Sequence, residues 1–518
     1  MSATGLYSRE KARRSLFNTI GYRAISQVST FLGYLVLVRA LSEQAFGVLS
    51  LLYAFIPVVS TVASLGLEQT LRRFQPEYLR SDNAAAAGWL VRFVARARLL
   101  SNALILAAVL LTWNLVAPLF QLAPYRDEFA LFSVLVLLYF QARVLEFALA
   151  SHMLHRYAVG STVLLSLVKL AAYLVLAGLR LLNLRSAILV DTLAYVCAFV
   201  FLRMAYQRHA AGAAPRHYDP PPSERRRLWR YGLFNNFNDA GSILLYVQTD
   251  NFFIAALLNP VAVGAYAFYT RANAMVSNLT PMRLFENVVQ PLFFAVPPAE
   301  AGARLPRYLT LLLNCSLIVQ FPLIAYTSVF HREIVALLLG GKYLDLSWLL
   351  PVIIAFGTTS SVISVPVTCV AQYQERASLI LCSQLFGLYQ ILAMLLLVPV
   401  WGLLGAAVAT GTFHLFRNLF VWWKVRDQAR WLNYRAVLFS AALIWGAAVL
   451  ASLGVRRLPM APLAALACGL IICLAAMLAY VRSPALSRSD RELLAQLFHG
   501  REARLLQSLG ILPRLGPA

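Results

Sequence analysis

Long apolar stretches decide what this chain can fold into. Fourteen times, a run of about 20 predominantly apolar residues, the length of helix that crosses a bilayer's hydrocarbon core, stands between short connections rich in arginine. The runs lie near 16–38, 46–66, 97–118, 129–150, 157–179, 186–206 and 231–257, then near 261–281, 307–330, 346–370, 377–398, 402–423, 436–454 and 461–481. With 60% hydrophobic and 13% charged residues, the chain has more apolar surface than a soluble core absorbs. Lipid offers no hydrogen bonds to a backbone, so such runs read as helices. The fold class expected is an all-α integral membrane protein.

The basic residues test that layout, because a wrong number of spans would scramble the alternation of basic loops. Roughly 32 basic residues collect on one side and about 8 on the other, which places both termini in the cytoplasm. In this reading Arg72, Arg73, Arg80, Arg92, Arg96 and Arg98 belong to one cytoplasmic connection. An excess of 45 Lys and Arg over 22 Asp and Glu would suit nucleic acid if it were gathered on one polar module, but it is spread through loops. All six cysteines sit inside apolar runs, where they read as small hydrophobes rather than disulfides or zinc ligands. The first run is span length and lacks a small-residue cleavage pattern, so it is expected to stay as a helix rather than act as a cleaved signal.

The segment from Gln207 to Trp229, with Pro220, Pro221 and Pro222 beside Arg225, Arg226 and Arg227, reads as a cytoplasmic linker. Beyond it, the chain repeats its beginning. Leu16, Phe17 and Asn18 return as Leu233, Phe234 and Asn235, Leu41 returns as Leu258, and Gly47 returns as Gly264. The shared offset of about 217 residues marks an internal repeat. The expected organisation is an N-terminal lobe of six helices at 1–206, a linker at 207–230, a C-terminal lobe at 231–430, an extra helix pair at 431–482 and a cytoplasmic tail at 483–518. In the tail, leucines among Arg491, Arg501 and Arg504 suit an amphipathic helix on the membrane surface or on the protein's own base.

Helical spacing puts polar residues of four spans onto single faces. The first span contributes Thr19, Arg23, Ser26 and Thr30; the second Ser50, Tyr53, Ser60 and Ser64; the seventh Asn235, Asp239, Tyr246 and Asp250; the eighth Thr270, Asn273 and Ser277 beside Arg271. Lipid satisfies none of them, and each intramembrane charge costs several kcal/mol unless answered. Arg23, Lys169, Arg271 and Arg417 have no acid three or four residues away, whereas Arg143 and Glu146 stand three apart and can neutralise each other. The preferred account is a cationic cavity for a phosphate-bearing substrate, with Asn235, Tyr246, Thr270 and Asn273 as hydrogen-bonding groups. The competing account pairs the cations with Asp191, Asp239 and Asp250 across helices; those aspartates also suit proton or sodium coupling. His152 with His155 lacks further metal ligands, and His414 suits a hydrogen-bonded histidine more than a proton relay. No cofactor, metal or catalytic motif is expected.

Arg39-Ala-Leu-Ser-Glu-Gln-Ala-Phe46-Gly47, a span, and then Gly66-Leu67-Glu68 closely resemble the start of Wzx-type polysaccharide flippases of the multidrug/oligosaccharidyl-lipid/polysaccharide exporter superfamily. Trp401-Gly402-Leu-Leu-Gly405-Ala406-Ala407 resembles that family's twelfth-helix opening. The resemblance implies two six-helix lobes around a cavity that opens alternately to either side. It implies a bacterial inner-membrane protein, not an enzyme, that moves an undecaprenyl-pyrophosphate-linked oligosaccharide for lipopolysaccharide or exopolysaccharide assembly. It also implies that Arg23 and Arg271, in the first and eighth spans, meet the pyrophosphate. Membrane lipids, a coupling proton or sodium ion and other polysaccharide assembly proteins are the partners expected, and nucleic acid is not. The two alternatives are a cation-coupled multidrug exporter of the same superfamily and a membrane oligosaccharide ligase or polymerase. A ligase or polymerase would carry a large outward loop, yet the longest outward loops here are short, around Pro124 to Glu128 and His331 to Asp345.

Overall fold

The computed structural model describes residues 9–209, 218–243, 247–278, 296–487 and 490–491. Among the described residues every regular element is helical, and nine helices are long and apolar enough to cross a membrane. The chain divides into two compact units, Met1–Gly264 and Ala265–Ala518.

In the first unit, α1 (Arg9–Ala40), α2 (Glu43–Ser64), α3 (Leu67–Arg80), α4 (Ala84–Leu111), α5 (Arg126–Ser151), α6 (His155–Gly178) and α7 (Leu184–His209) precede α8 (Pro222–Ile243) and α9 (Val247–Leu257). Local chemistry sets the boundaries. Ser42 caps α2 by accepting from the Ala45 amide at 3.2 Å, and Asn83 caps α4 by accepting from Ala86 at 3.0 Å; each satisfies one of the amides a helix start leaves without a partner. Helix α1 packs along α6, α5 packs on α7, and α6 packs on α7. Ser26 and Gly33 of α1 lie against Thr162 and Leu170 of α6, so these two helices run side by side in the same direction.

Helix α3 lies in what the sequence reads as a plain connection. Leu67, Leu71, Phe74 and Tyr78, spaced four, three and four apart, are buried on one face, and Arg72, Arg73 and Arg80 stand on the other. That spacing is an amphipathic helix, and it is too polar to be found by counting apolar runs. The buried face packs against Leu90, Val94, Val144, Ala148 and Leu228.

Two glycines of the N-terminal motif hold close approaches. A Cβ at Gly47 would stand 1.8 Å from the Pro260 carbonyl oxygen. Gly66 joins α2 to α3 with φ of 66°, and a Cβ there would stand 1.7 Å from the Gly232 carbonyl oxygen. Only glycine meets both demands at Gly66.

The second unit takes most of α10 (Pro260–Asn278), then α11 (Ala301–Leu339), α12 (Leu349–Tyr373), α13 (Ala377–Ser383), α14 (Phe386–Trp401), α15 (Leu403–Val425), α16 (Tyr434–Arg456) and α17 (Pro462–Arg482). The single apolar run at 377–398 is thus two helices. Between α14 and α15 the chain turns at Gly402, φ 57°, and Gly405 lies so close to Leu397 that a Cβ would come within 2.2 Å of its carbonyl oxygen. Helices α14 and α15 pack together, α15 also packs on α12, and α16 and α17 pack on each other and on α11. Val437, Ala441, Trp445, Ala476 and Tyr480 form the buried seam of the last pair, with Leu317 and Phe321 of α11 against it. Along α14, Leu388, Leu392, Leu395 and Leu396 are exposed, a stripe that suits hydrocarbon rather than water.

Candidate functional site

Inside the first unit, two linked polar clusters are built from residues scattered over six helices. The first centres on Asp191 of α7, whose side chain is 1% exposed. Lys169 Nζ of α6 lies 2.8 Å from Asp191 Oδ1. The hydroxyls of Tyr53 on α2 and Tyr173 on α6 both donate to the same carboxylate. The ammonium also reaches the Tyr53 hydroxyl at 3.4 Å and lies 4.9 Å from the centre of the Tyr195 ring. A buried carboxylate needs this many donors, because an unanswered charge in such surroundings would be neutralised instead. Chemically, the cluster is a carboxylate–ammonium pair ringed by tyrosines.

The second cluster surrounds Arg98 of α4. Its side chain is 0% exposed; Nη2 lies 2.8 Å from Glu68 of α3, Nη1 donates to the Ser60 carbonyl at 3.2 Å, and the guanidinium lies 4.4 Å from the Phe140 ring centre. Arg143 lies over Phe147 at 4.9 Å, and Ser161 donates to Glu146 at 3.2 Å. Arg98 is therefore not a loop arginine, as its neighbours in sequence suggest. Helix α4 begins at Ala84, well before the apolar run at 97–118, and its middle turns bury Arg98 against Glu68. The signal available in sequence was Glu68 itself, the acid closing the Gly66-Leu67-Glu68 motif.

The residues singled out by the sequence fall in different places. Lys169 meets Asp191, which is the interhelical pairing of the competing account for that one cation. Asp250 of α9 is buried. Arg271 of α10 is exposed, Thr270 donates to the Tyr266 carbonyl of its own helix at 2.8 Å, and Asn273 packs where a Cβ on Gly357 would come within 2.1 Å of its amide nitrogen. Among the described residues, Asn273 Oδ1 is buried without a hydrogen-bond partner. Arg417 Nε reaches Ser383 Oγ at 3.3 Å. Arg23, Asn235 and Asp239 lie on α1 and α8, but their side chains, Tyr246 and the tail beyond Arg491 are outside the described residues. Among the described residues no cluster of His, Cys, Asp or Glu suits a metal ion.

The start of α8 and the residues just before it are fastened to α3. Tyr78 donates to Glu224, Tyr218 donates to the same carboxylate at 2.8 Å, and Arg227 lies 3.2 Å from Glu77. Burial, and then the hydrogen bond to Glu224, hold the Tyr78 hydroxyl protonated well above the usual phenol range.

The fold is that of a known class of multi-pass membrane proteins. It is similar to the lipid II flippase MurJ in an inward closed conformation, with a TM-score of 0.69 at 12% identity, covering 92% of this chain and 100% of MurJ. It is also similar to an inward-facing MATE-family multidrug transporter of the MOP superfamily, with a TM-score of 0.59 at 14% identity, covering 79% of this chain and 98% of the other. Among curated protein sequences none matches this chain. The family itself is given by the sequence match: residues 36–348, more than half of the chain, match the polysaccharide biosynthesis protein family, and the chain belongs to it.

Proposed function

We propose that this protein is a flippase that carries an undecaprenyl-pyrophosphate-linked oligosaccharide across the bacterial inner membrane by alternating access, without chemical turnover. The observation that carries the reading is the polysaccharide biosynthesis family match joined to a flippase and transporter fold. In this reading the chain has fourteen spans with both termini in the cytoplasm. Lobes at 1–206 and 231–430 enclose the cavity, joined by the linker at 207–230, and helices at 431–482 stand outside them. Arg23 and Arg271 meet the diphosphate, with Arg417 and Lys169 adding positive charge. Asn235, Tyr246, Thr270 and Asn273 hydrogen-bond the sugars. Asp191, Asp239 and Asp250 are the coupling carboxylates for a proton or sodium ion. Support for Asp191 is its burial beside Lys169 and two tyrosine hydroxyls. Other polysaccharide assembly proteins would receive the product.

The test is to replace Arg23 and Arg271 by alanine and measure surface polysaccharide at matched membrane levels. The expected outcome is loss of surface polysaccharide, with intact lipid-linked units accumulating on the cytoplasmic leaflet. Normal surface polysaccharide would overturn the assignment, and accumulation on the outer leaflet would indicate a ligase or polymerase. The acid and aromatic character of the Asp191 cluster favours, as a second reading, a multidrug exporter; drug efflux in a sensitised strain separates the two.

A further inference from the structure

A basic cleft of about 780 Å³ opens between α3 and the first turns of α8, on the membrane face that carries the linker. Arg73 and Phe74 of α3 line one wall, and Arg226, Arg227, Arg230 and Phe234 of α8 line the other. Its charges are not equivalent. Arg73 and Arg227 share Glu77, at 2.8 and 3.2 Å. The other acids nearby are engaged elsewhere: Glu224 accepts from Tyr78 and Tyr218, and Asp219 pairs with Arg225. Arg226 and Arg230 therefore have no acidic partner within 4 Å among the described residues. Arg230 instead lies 5.9 Å from the Phe234 ring centre, and that ring is 66% exposed.

Position explains the mixture. Helix α8 passes from a polar start, Pro222 to Arg230, into the apolar Leu233 and Phe234, which are exposed together with Trp229. A tryptophan and arginines at such a transition belong to the headgroup level of a bilayer, where a guanidinium pairs with phosphate and an aromatic ring lies along an acyl chain. A soluble phosphate would gain nothing from the exposed Phe234.

We infer that the α3–α8 cleft binds the phosphate headgroup of a bulk anionic phospholipid, held by Arg226 and Arg230 with its acyl chain against Phe234. The site is separate from the cations assigned to the transported diphosphate. It ties the linker to lipid composition, because the same turns of α8 carry Arg227 and hence the contact to α3.

The experiment uses the full chain in nanodiscs of neutral lipid, titrated with phosphatidylglycerol and, separately, with a polyprenyl diphosphate. Binding is read by native mass spectrometry. At about 1 kcal/mol for each arginine near an anionic surface, the R226Q/R230Q variant is expected to bind phosphatidylglycerol about thirtyfold more weakly. R203Q/R208Q, which removes two exposed arginines from the end of α7, should leave binding unchanged. R226K/R230K should recover most of it, which excludes a folding defect. Polyprenyl diphosphate binding should be the same in all variants. Unchanged phosphatidylglycerol affinity in R226Q/R230Q would overturn the inference, and so would an equal loss for polyprenyl diphosphate, which would make the cleft part of the substrate path.

Discussion

Removing Glu68 should unfold the first unit far more readily than its place at a helix start suggests. Arg98 is wholly buried, and its charge is answered by Glu68 at 2.8 Å, with the Ser60 carbonyl and the Phe140 ring as neutral partners. Among the described residues, Glu68→Ala leaves the guanidinium with those two. A buried charge that loses its counter-ion costs about 3–5 kcal/mol, whereas replacing both members of the pair by apolar groups of similar volume is often neutral or stabilising. Equilibrium unfolding in mixed detergent micelles, followed by tryptophan fluorescence, should therefore give Glu68→Ala a stability about 3–5 kcal/mol below the parent. The double variant Glu68→Leu with Arg98→Met should be near the parent value. The pattern is more informative than the magnitude, since a lost favourable contact would leave the double variant as weak as the single. A Glu68→Ala protein within about 1 kcal/mol of the parent, or a double variant no better than the single, would refute the claim that the cost lies in an uncompensated charge.

Gly47→Val should abolish accumulation of folded protein, because even a Cβ would lie 1.8 Å from the Pro260 carbonyl oxygen, and that oxygen is backbone; a monodisperse peak at parental yield in size-exclusion chromatography would contradict the packing described. Trp445→Ala should lower stability by about 3–5 kcal/mol, the range for truncating a large buried aromatic, since Trp445 fills the seam of α16 and α17 against α11; the same micelle unfolding experiment reads it. For the carboxylate cluster, Lys169→Met combined with Asp191→Leu should keep folded protein at parental levels while cutting surface polysaccharide at least tenfold. Parental polysaccharide in that variant would assign the pair to structure alone.

The helical class was legible because the apolar runs are long, and because the turn residues between them carry their own chemistry. Ser42, Gly66, Gly402 and Gly405 stand where a cap, a left-handed backbone or a close carbonyl demands them. Two things were hidden. Helix α3 has the period of a buried face but the polarity of a loop, so a search tuned to lipid exposure passes over it. Arg98 sits midway along a helix whose apolar run begins only near residue 97, so it resembles the arginines around it until Glu68 is brought against it by the turn at Gly66. The second depends on a tertiary contact that no local window contains.

The same limit applies to the intramembrane cations, and it changes how they should be compared. Absence of an acid three or four residues away ranks Lys169 with Arg417, yet the two live in different surroundings. Lys169 is closed into a carboxylate with tyrosine hydroxyls on either side, whereas Arg417, among the described residues, meets a serine hydroxyl. A cation already paired offers a passing phosphate little, while one held by a hydroxyl offers its charge at once. The charge of Lys169 is thus answered by Asp191, and that of Arg417 meets no acid among the described residues. The cluster in the first unit is suited to hold its own ion pair, and the arginine of the second unit is suited to hold an anion. Removing the charge at position 191 should accordingly leave Lys169 available: Asp191→Asn is expected to bind a polyprenyl diphosphate more tightly than the parent. Equal affinity in the two proteins would break the link between Asp191 and the charge that Lys169 presents.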